Sequence, residues 1–287
     1  MASGREIRGQ IRSIKSTQKI TKAMEMVAGS KLRRTQQRME ASRAYAERIA
    51  TLVGHLAQAQ GDEERHPFLV ERPEKKTAFV VVTTDRGLCG SLNINLFRTV
   101  TGAMRQRQQN NIELGVGVLG TKGAVFMRRL GVPILAEARG MGENVDATKT
   151  QGVLKVLLDA YLSGAIDRVI LAGNHFVNAM TQEPYLQTLL PVPPITEETM
   201  GGHWDYIYEP SAAALMGPTL GRFLDMQLYQ AVVENIACEM AARMVAMKNA
   251  SENAGELIDE LSLVYNKTRQ AGITRELSEI IAGAEAV

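Results

Sequence analysis

The chain has 287 residues, enough for one large or two ordinary domains, and its 45% hydrophobic content can supply a buried core. No run of 18 or more apolar residues occurs and the first residues lack the apolar region of a signal peptide, so a membrane-spanning or secreted protein is not expected. Two distant cysteines and four scattered histidines argue against a disulfide framework and a zinc site, and favour the cytosol.

The net charge of +2 conceals an uneven distribution. Residues 1–50 carry 12 Lys or Arg against 4 Asp or Glu, whereas the rest of the chain is acidic. A basic segment of this kind is typical of proteins that bind a polyanion or an acidic protein surface. Nucleic acid is disfavoured, because Tyr45 is the only aromatic residue in the segment and single strands need a stacking platform.

The first predicted element is a helix over residues 3–55, which contain no proline, with a length of roughly 80 Å at about 1.5 Å per residue. Heptad stepping from Ile7 places apolar residues of both helix ends in one coiled-coil seam. Between residues 17 and 28 the seam positions become polar. The apolar residues there move one step round the helix, to Ile20, Met24 and Val27. This segment is predicted to face something other than the seam partner.

Residues 77–190 alternate strand and helix patterns, as expected of an α/β domain. The predicted strands are 77–84, 112–120, 132–138, 168–176 and one near 184–190. The predicted helices are 95–108, 122–131 and 146–164. Proline-containing linkers over 58–76 and 191–211 connect this domain to the terminal helices.

The segment 113–126 carries the spacing of a dinucleotide-binding turn. Gly115, Gly117 and Gly120 follow G-x-G-x-x-G, and Glu137 lies at the distance of a ribose-binding acid. The segment also approaches a P-loop, but its Thr-Lys order is reversed. Because the preceding strand would be too short without them, the three glycines are predicted to lie inside a strand, where they cannot cradle a phosphate.

Residues 83–93 form the one candidate catalytic turn, with Cys89 near the start of a helix that would stabilise a thiolate. We interpret Gly87 and Gly90 as turn residues and Cys89 as a small packed side chain, because no histidine lies near it in sequence. Residues 140–144 are likewise interpreted as a turn rather than a phosphate loop. No catalytic residue, cofactor site or metal site is predicted.

The last predicted element is a helix from about residue 219 to about residue 282. Heptad stepping from Tyr229 to Ala271 meets apolar residues at nearly every position, which predicts a coiled-coil seam with Arg243 and Thr268 as its exceptions. After residue 271 the apolar residues change register, to Ile273, Leu277 and Ile280.

The start of this helix contains Gly217 and Pro218, which are expected to kink its first turns or to make the helix begin anew at Pro218. The two terminal helices are predicted to pack as an antiparallel pair, since the middle domain connects them. The predicted organisation is therefore a helix over 1–57, a linker over 58–76, an α/β domain over 77–190, a linker and foot segment over 191–211, and a helix over 212–287.

Four segments resemble the gamma subunits of F-type ATP synthases, in the order and with the spacing of that family. They are STQKITKAMEMVAGSKLRR at 16–34, TTDRGLCGSLNINLF at 83–97, WDYIYEP at 204–210 and the long stretch from AARMVAMKNA onward at 241–284. The resemblance covers essentially the whole chain. It implies an antiparallel coiled coil of the terminal helices with a Rossmann-like α/β domain between them, and no catalytic or cofactor site.

By this resemblance the protein is the central rotary shaft of a proton-translocating synthase, which couples rotation of a membrane c ring to the catalytic beta subunits. The implied partners are three alpha and three beta subunits, an epsilon subunit and the c-subunit ring, with no nucleic acid and no membrane span of its own. The implied location is the cytoplasmic face of the bacterial inner membrane.

The resemblance also implies contact residues. Those for the alpha and beta subunits are Lys22, Met24, Arg243, Arg269, Gln270 and Thr274. Those for the c ring are Tyr206 and Glu209.

Two other interpretations fit the sequence less well. A nucleotide-dependent oxidoreductase with coiled-coil arms lacks a correctly placed glycine turn and a set of proton donors. A coiled-coil protein that binds nucleic acid would need its basic residues on an exposed face rather than interleaved with a seam.

Overall fold

The computed structural model describes residues 4–60, 66–142, 145, 147–194, 206, 208, 209 and 211–285. The chain divides into two compact units, one made of residues 1–29 and 243–287 and the other of residues 30–242. Two long helices, α1 (Gly4–Gln60) and α5 (Ala212–Glu285), contribute residues to both units.

The larger unit contains a five-stranded sheet with the order β3-β2-β1-β4-β5. Its strands are β1 (Lys76–Val82), β2 (Glu113–Leu119), β3 (Ile134–Ala138), β4 (Arg168–Phe176) and β5 (Gln182–Leu190). The first four are parallel, and β5 pairs antiparallel with β4. Strands β1 and β2 are buried along nearly their whole length, as expected of parallel strands covered on both faces. The predicted α/β domain is confirmed.

Helices cover both faces of this sheet. On one face, α2 (Leu92–Gln109) and α3 (Thr121–Leu130) pack on side chains of β1 and β2. On the other face lie α4 (Ala147–Leu162) and the parts of α1 and α5 that belong to this unit, joined in one core with the short 3-10 helix Pro67–Leu69. The point where the strand order reverses lies between β1 and β4, which is where α/β sheets usually bind ligands.

The smaller unit is an antiparallel helix pair, as predicted. A Cβ atom on Gly4 would lie 3.7 Å from the Tyr265 ring, and one on Gly29 would lie 3.3 Å from the Met244 sulfur. Between these contacts, Gln18 Nε2 donates a hydrogen bond to the Ser251 carbonyl oxygen at 3.3 Å. The residue numbers of the contacts therefore increase along α1 while they decrease along α5, which shows that the two helices are antiparallel.

The heptad seam predicted for α1 is confirmed. Its positions are buried or half-buried along the helix, and the buried ones include Ile7, Thr21, Ala28, Leu32, Thr35, Ala46, Ile49 and Val53. The polar seam residues between 17 and 28 also face inward. Outside the seam, 58% of Ile20 and 52% of Val27 is exposed, as predicted, whereas Met24 is half-buried.

The seam predicted for α5 is correct only in its first half. Seam positions from Val233 to Met247 are buried, and Tyr229 is half-buried. Further on, Leu257 and Val264 are 43% and 44% exposed, while Ile258 is buried and Tyr265 half-buried. The buried positions have moved on by one residue, from Leu257 to Ile258 and from Val264 to Tyr265, so the predicted seam has rotated away from the contact line.

Two outcomes were predicted for Gly217 and Pro218, a kink in the first turns or a new helix start at Pro218. The second is wrong, because α5 runs as one helix from Ala212. The Ser211 hydroxyl accepts a hydrogen bond from the Ala214 amide at 3.2 Å and caps the first turn. Proline this close to a helix start removes a single backbone bond, which the buried residues of the following turns offset.

Candidate interaction surfaces

The glycines that suggested a nucleotide turn serve packing. Gly115 and Gly117 lie inside β2, as predicted. A Cβ atom on Gly115 would approach a Leu135 methyl carbon to 2.8 Å, and one on Gly117 would approach a Leu157 methyl carbon to 2.9 Å. The two glycines therefore let β3 and α4 side chains close onto the strand.

Gly120 departs from the prediction, because it lies after the end of β2 and directly precedes α3. Its φ is +102°, and a Cβ atom there would lie 2.3 Å from the Thr83 carbonyl oxygen, so only glycine fits. A helix N-terminus does follow the glycine. Its amides are already satisfied, because Lys122 N donates to the Thr84 carbonyl oxygen at 3.0 Å and Gly123 N donates to Thr83 Oγ1 at 2.9 Å.

Asp85 occupies the anion position at this helix N-terminus. Its Oδ1 accepts from the Thr121 amide at 3.0 Å, from the Thr121 hydroxyl at 2.7 Å and from the Gly140 amide at 3.0 Å, while Oδ2 accepts from the Met141 amide at 2.7 Å. Burial alone would raise the pKa of Asp85, but these hydrogen bonds outweigh it and hold the pKa below its ordinary value. A carboxylate of the chain itself thus stands where a phosphate would bind.

Helix α5 packs near the β1/β4 reversal point. Asn174 at the end of β4 donates through Nδ2 to Asn235 Oδ1 of α5 at 2.9 Å, and both are at most 2% exposed. Glu234 Oε1 accepts from the Phe176 amide at 3.0 Å and lies 2.8 Å from His175 Nδ1. Helix α5 is thus bonded to the carboxyl end of β4, next to the point where sheets of this class usually bind ligands.

Cys89 lies in the same buried region and is 3% exposed. The Asn93 amide donates to its sulfur at 3.4 Å, and the Thr84 hydroxyl lies 3.9 Å from it. Cys89 packs in one small apolar cluster with Leu92 and with Cys238 of α5. These neighbours agree with the interpretation of Cys89 as a packed side chain.

Metal and membrane sites have no counterpart in the part of the chain that the structure describes. Within those residues, no group of three or more His, Cys, Asp or Glu side chains is arranged to hold a metal ion. None of the described helices combines the length and the hydropathy that a bilayer crossing requires.

The smaller unit presents an outward surface on α1. Ile20, Met26 and Val27 are each more than half exposed, on the side of the helix away from its seam. Lys22 lies among them and pairs with Glu25 at 3.0 Å. Exposed apolar residues next to charges, on a helix whose seam is already filled, are the usual composition of a partner-binding surface.

The end of α5 forms a second outward surface. Every described side chain from Arg269 to Ala282 is exposed, including 54% of Leu277 and 68% of Ile280. Gln270 and Thr274 also lie here, one helical turn apart, where the Thr274 hydroxyl donates to the Gln270 carbonyl oxygen at 2.9 Å. This stretch has apolar residues at helical spacing, and none of its described side chains is buried within the smaller unit.

Arg243 is placed differently from the other predicted contact residues. It is 9% exposed and has an interaction within the chain. Its seam position was predicted from the sequence, and its burial is possible because a long side chain can bury its stem in a seam.

The predicted foot contacts fall in a segment of which only part is described. Tyr206 is 42% exposed and Glu209 is exposed, whereas residues 195–205, 207 and 210 lie outside the described residues. The Tyr206 ring centroid lies 6.0 Å from that of Tyr208 and 5.5 Å from that of His55 near the end of α1. Tyr206 therefore lies against His55 near the end of α1.

Comparisons with known proteins identify the family. A family model described as ATP synthase matches residues 3–287. The ATP synthase gamma chain of Legionella pneumophila (strain Paris) is 52% identical over 289 residues, covering all of both chains. The interpretation as an oxidoreductase is not supported.

Two solved structures share the fold. A chain of the Tetrahymena thermophila mitochondrial ATP synthase, from a structure of its central stalk and c ring, has a TM-score of 0.60 at 26% identity and covers 81% of this chain and 99% of its own. A chain of the Euglena gracilis mitochondrial ATP synthase rotor has a TM-score of 0.68 at 21% identity and covers 94% of this chain and 98% of its own. With the match over the full length, this chain belongs to the family of ATP synthase gamma chains, which are non-catalytic subunits of that complex.

Proposed function

We propose that this protein is the central rotary shaft of an ATP synthase and carries no catalytic site of its own. The terminal helices lie inside a ring of three alpha and three beta subunits, and the α/β domain and foot segment bind epsilon and the c ring. The related Tetrahymena chain comes from a structure of a central stalk and c ring. The 52% identity with a gamma chain over the full length supports the same role here.

The observation that carries this proposal is the exposed apolar surface of the smaller unit. The outward side of α1 at residues 20–27 and the end of α5 from residue 269 expose isoleucine, leucine, valine and methionine side chains although the helix seam is complete. A protein does not gain stability from apolar side chains left in water. An enclosing set of subunits would bury both surfaces.

Such a shaft acts by differential contact. A single helix pair has no threefold symmetry, so it presents a different side to each of three beta subunits. The exposed side chains of Ile20, Val27 and Leu277 are not repeated by symmetry on its other sides. Each side favours the beta conformation that it contacts best, by its difference in contact free energy. Rotation moves those contacts from one beta subunit to the next.

The contact residues follow from the same arrangement. We assign contacts with the alpha and beta subunits to Lys22, Met24, Arg243, Arg269, Gln270 and Thr274. Five of them are exposed or half-buried, so partners can reach them. Because Arg243 is buried, its contribution is to hold the helix pair in position, and only the edge of its side chain meets a partner.

The c ring contacts are assigned to Tyr206 and Glu209, which are both exposed. We place the protein at the cytoplasmic face of the bacterial membrane, bound through the c ring of a proton-translocating complex. The functional division is a helix over 1–57, a linker over 58–76, an α/β domain over 77–190, a foot over 191–211 and a helix over 212–287.

Cross-linking in the assembled complex tests the orientation of the shaft. A cysteine in place of Ile280 is expected to cross-link to alpha or beta subunits, and one in place of Glu209 to c subunits. The unmodified chain is the control, because Cys89 and Cys238 are buried and burial raises the pKa of the Cys238 thiol. Cross-links with the two sets of partners exchanged would overturn the proposed orientation.

A further inference from the structure

The outer face of helices α2 and α3 combines apolar residues with cations. On the side away from the sheet, α2 exposes Ile94, Arg98, Gly102 and Arg105, and α3 exposes Lys122, Val125 and Arg129. Ile94 is 60% exposed and Val125 41% exposed. We call these seven residues, with Phe97 and Phe126 between them, the α2/α3 face.

The cations of this face have no acidic partner among the residues that the structure describes. Neither α2 nor α3 contains an Asp or Glu residue. Two further arginines, Arg107 and Arg128, are paired with Glu74 and Glu137. Arg98, Arg105, Lys122 and Arg129 form no ion pair with any described residue. Four like charges on one surface repel one another unless an acidic partner covers them.

An aromatic pair lies between the two helices. The Phe97 and Phe126 rings stack with centroids 4.0 Å apart and an interplanar angle of 2°, and both side chains are half-buried. The rings form a flat apolar patch with cations on both sides. An apolar centre surrounded by a charged rim is the usual anatomy of a protein–protein interface.

Gly102 leaves room for a close partner. It lies inside α2 and is exposed, and a Cβ atom there would meet nothing within 4 Å. Glycine inside a helix lowers stability relative to alanine, and no contact with a described residue requires glycine at this position. The position is therefore compatible with a partner whose backbone approaches α2 closely.

We propose that the α2/α3 face is a docking surface for an acidic protein surface with an apolar centre, presented by another subunit of the same complex. The inference rests on the proposed function, which supplies that complex. Its acidic side chains pair with Arg98 and Arg129, and its apolar side chains cover the Phe97–Phe126 stack. A lipid surface fits less well because the face has only two exposed apolar side chains, Ile94 and Val125, among four cations.

Amide hydrogen exchange locates the interface. The isolated chain is compared with the chain in the purified complex, and exchange at residues 94–105 and 121–129 is expected to slow at least about tenfold on assembly. Assembly with unchanged exchange in both helices would overturn this inference alone. Failure of the unmodified chain to assemble with any companion subunit would overturn the proposed function, and the inference with it.

Charge reversal tests the acidic partner. The double variant Arg98→Glu with Arg129→Glu is expected to hold the companion subunit at least about tenfold more weakly at low salt, with a smaller difference at high salt. The matched control is Lys155→Glu, an exposed cation of α4 on the opposite face of the sheet, which should leave assembly unchanged. Equal assembly of the double variant and the control would overturn the proposal.

The glycine gives a separate test. Gly102→Ala is expected to stabilise the isolated chain and to weaken its assembly, whereas Gly152→Ala of α4 is expected to stabilise without that loss, because Gly152 is also exposed with nothing within 4 Å of its Cβ position. If Gly102→Ala assembles as well as the unmodified chain, no backbone approaches α2 and the proposed packing is wrong.

Vesicles and DNA test the other occupants. Binding of the isolated chain to phosphatidylcholine vesicles containing phosphatidylglycerol, and to duplex DNA, is compared between the unmodified chain and the Arg98→Glu, Arg129→Glu variant. No difference between the two is expected at about 0.15 M salt. Loss of vesicle or DNA binding in the variant would assign the face to a lipid or a nucleic acid and overturn the proposal.

Discussion

Replacing Asp85 by alanine tests whether this side chain is the internal anion of the α/β domain. The substitution removes the acceptor of four hydrogen bonds, which come from the amides of Thr121, Gly140 and Met141 and from the Thr121 hydroxyl. It leaves the start of α3 and the chain after β3 with unpaired donors. The side chain becomes smaller only by its carboxylate group, so the change in packing is small.

The expected loss of unfolding free energy is about 3 kcal/mol. A hydrogen bond to a charged group contributes about 1.5–3 kcal/mol, but the four bonds share one carboxylate and are not additive. Asp85 is only partly buried, so water screens part of its interaction and the sum must be discounted. The estimate therefore lies close to the value of one or two strong bonds.

The pH dependence follows from the lowered pKa of Asp85. A carboxylate with a lower pKa in the folded chain contributes stability above its unfolded pKa of about 3.9, and the contribution is lost as the pH falls through the folded value. The difference between the unmodified chain and Asp85→Ala should be full at neutral pH and should disappear in acid.

Urea unfolding of the isolated chain, followed with hydrogen exchange of α3 and β3, measures the effect. Asp159→Ala, an exposed acid of α4, is the control and should change stability by less than about 0.5 kcal/mol. Phosphate or sulfate should restore part of the stability of Asp85→Ala, because the exposed helix N-terminus then accepts an external anion. A loss no larger than that of the control, or one independent of pH, would refute the argument.

Three further predictions concern the glycines, the seam and the outward surface. Gly117→Val should destabilise the isolated chain by about 2 kcal/mol or more through overpacking, while the unmodified chain should bind ATP, ADP and NAD no better than about millimolar; a micromolar site in calorimetry would contradict this. Arg243→Ala should lower the unfolding free energy by about 1–3 kcal/mol, because the buried guanidinium has a partner; unchanged urea unfolding would contradict this. Ile20→Asn with Val27→Asn should leave that free energy within about 0.5 kcal/mol and weaken coupling of hydrolysis to ion pumping, whereas the buried control Ala28→Asn should destabilise; strong destabilisation by the double variant would place these residues in the core.

The elements of the α/β domain could be predicted from the sequence because parallel strands and their helices have distinct local patterns. Strand β4 has the predicted bounds of 168–176, and α4 and β3 differ from prediction by at most two residues at each end. Continuous apolar runs define the buried strands, and glycines mark the ends of α3 and α4.

The role of Asp85 could not be predicted, because it depends on contacts between distant parts of the chain. The Thr-Thr-Asp-Arg-Gly order after β1 shows a polar residue at the carboxyl end of a strand, which is a signal for a site. Which donors surround that residue depends on the return of the chain after β3, more than 50 residues later. Local patterns contain no information on such a pairing.

The position of α5 at the end of β4 connects the fold to rotation. A shaft transmits torque only if its helix is held firmly by the domain at its foot. In the larger unit, α5 is fixed to β4 by the buried Asn174–Asn235 bond and by the bond from the Phe176 amide to Glu234. Sliding or turning this part of α5 would break both bonds and leave buried polar groups unpaired, at about 1–3 kcal/mol for each group. Helix α5 is thus fixed at the end of the sheet beside which other sheets of this type bind ligands, and we infer that this attachment makes the shaft rigid.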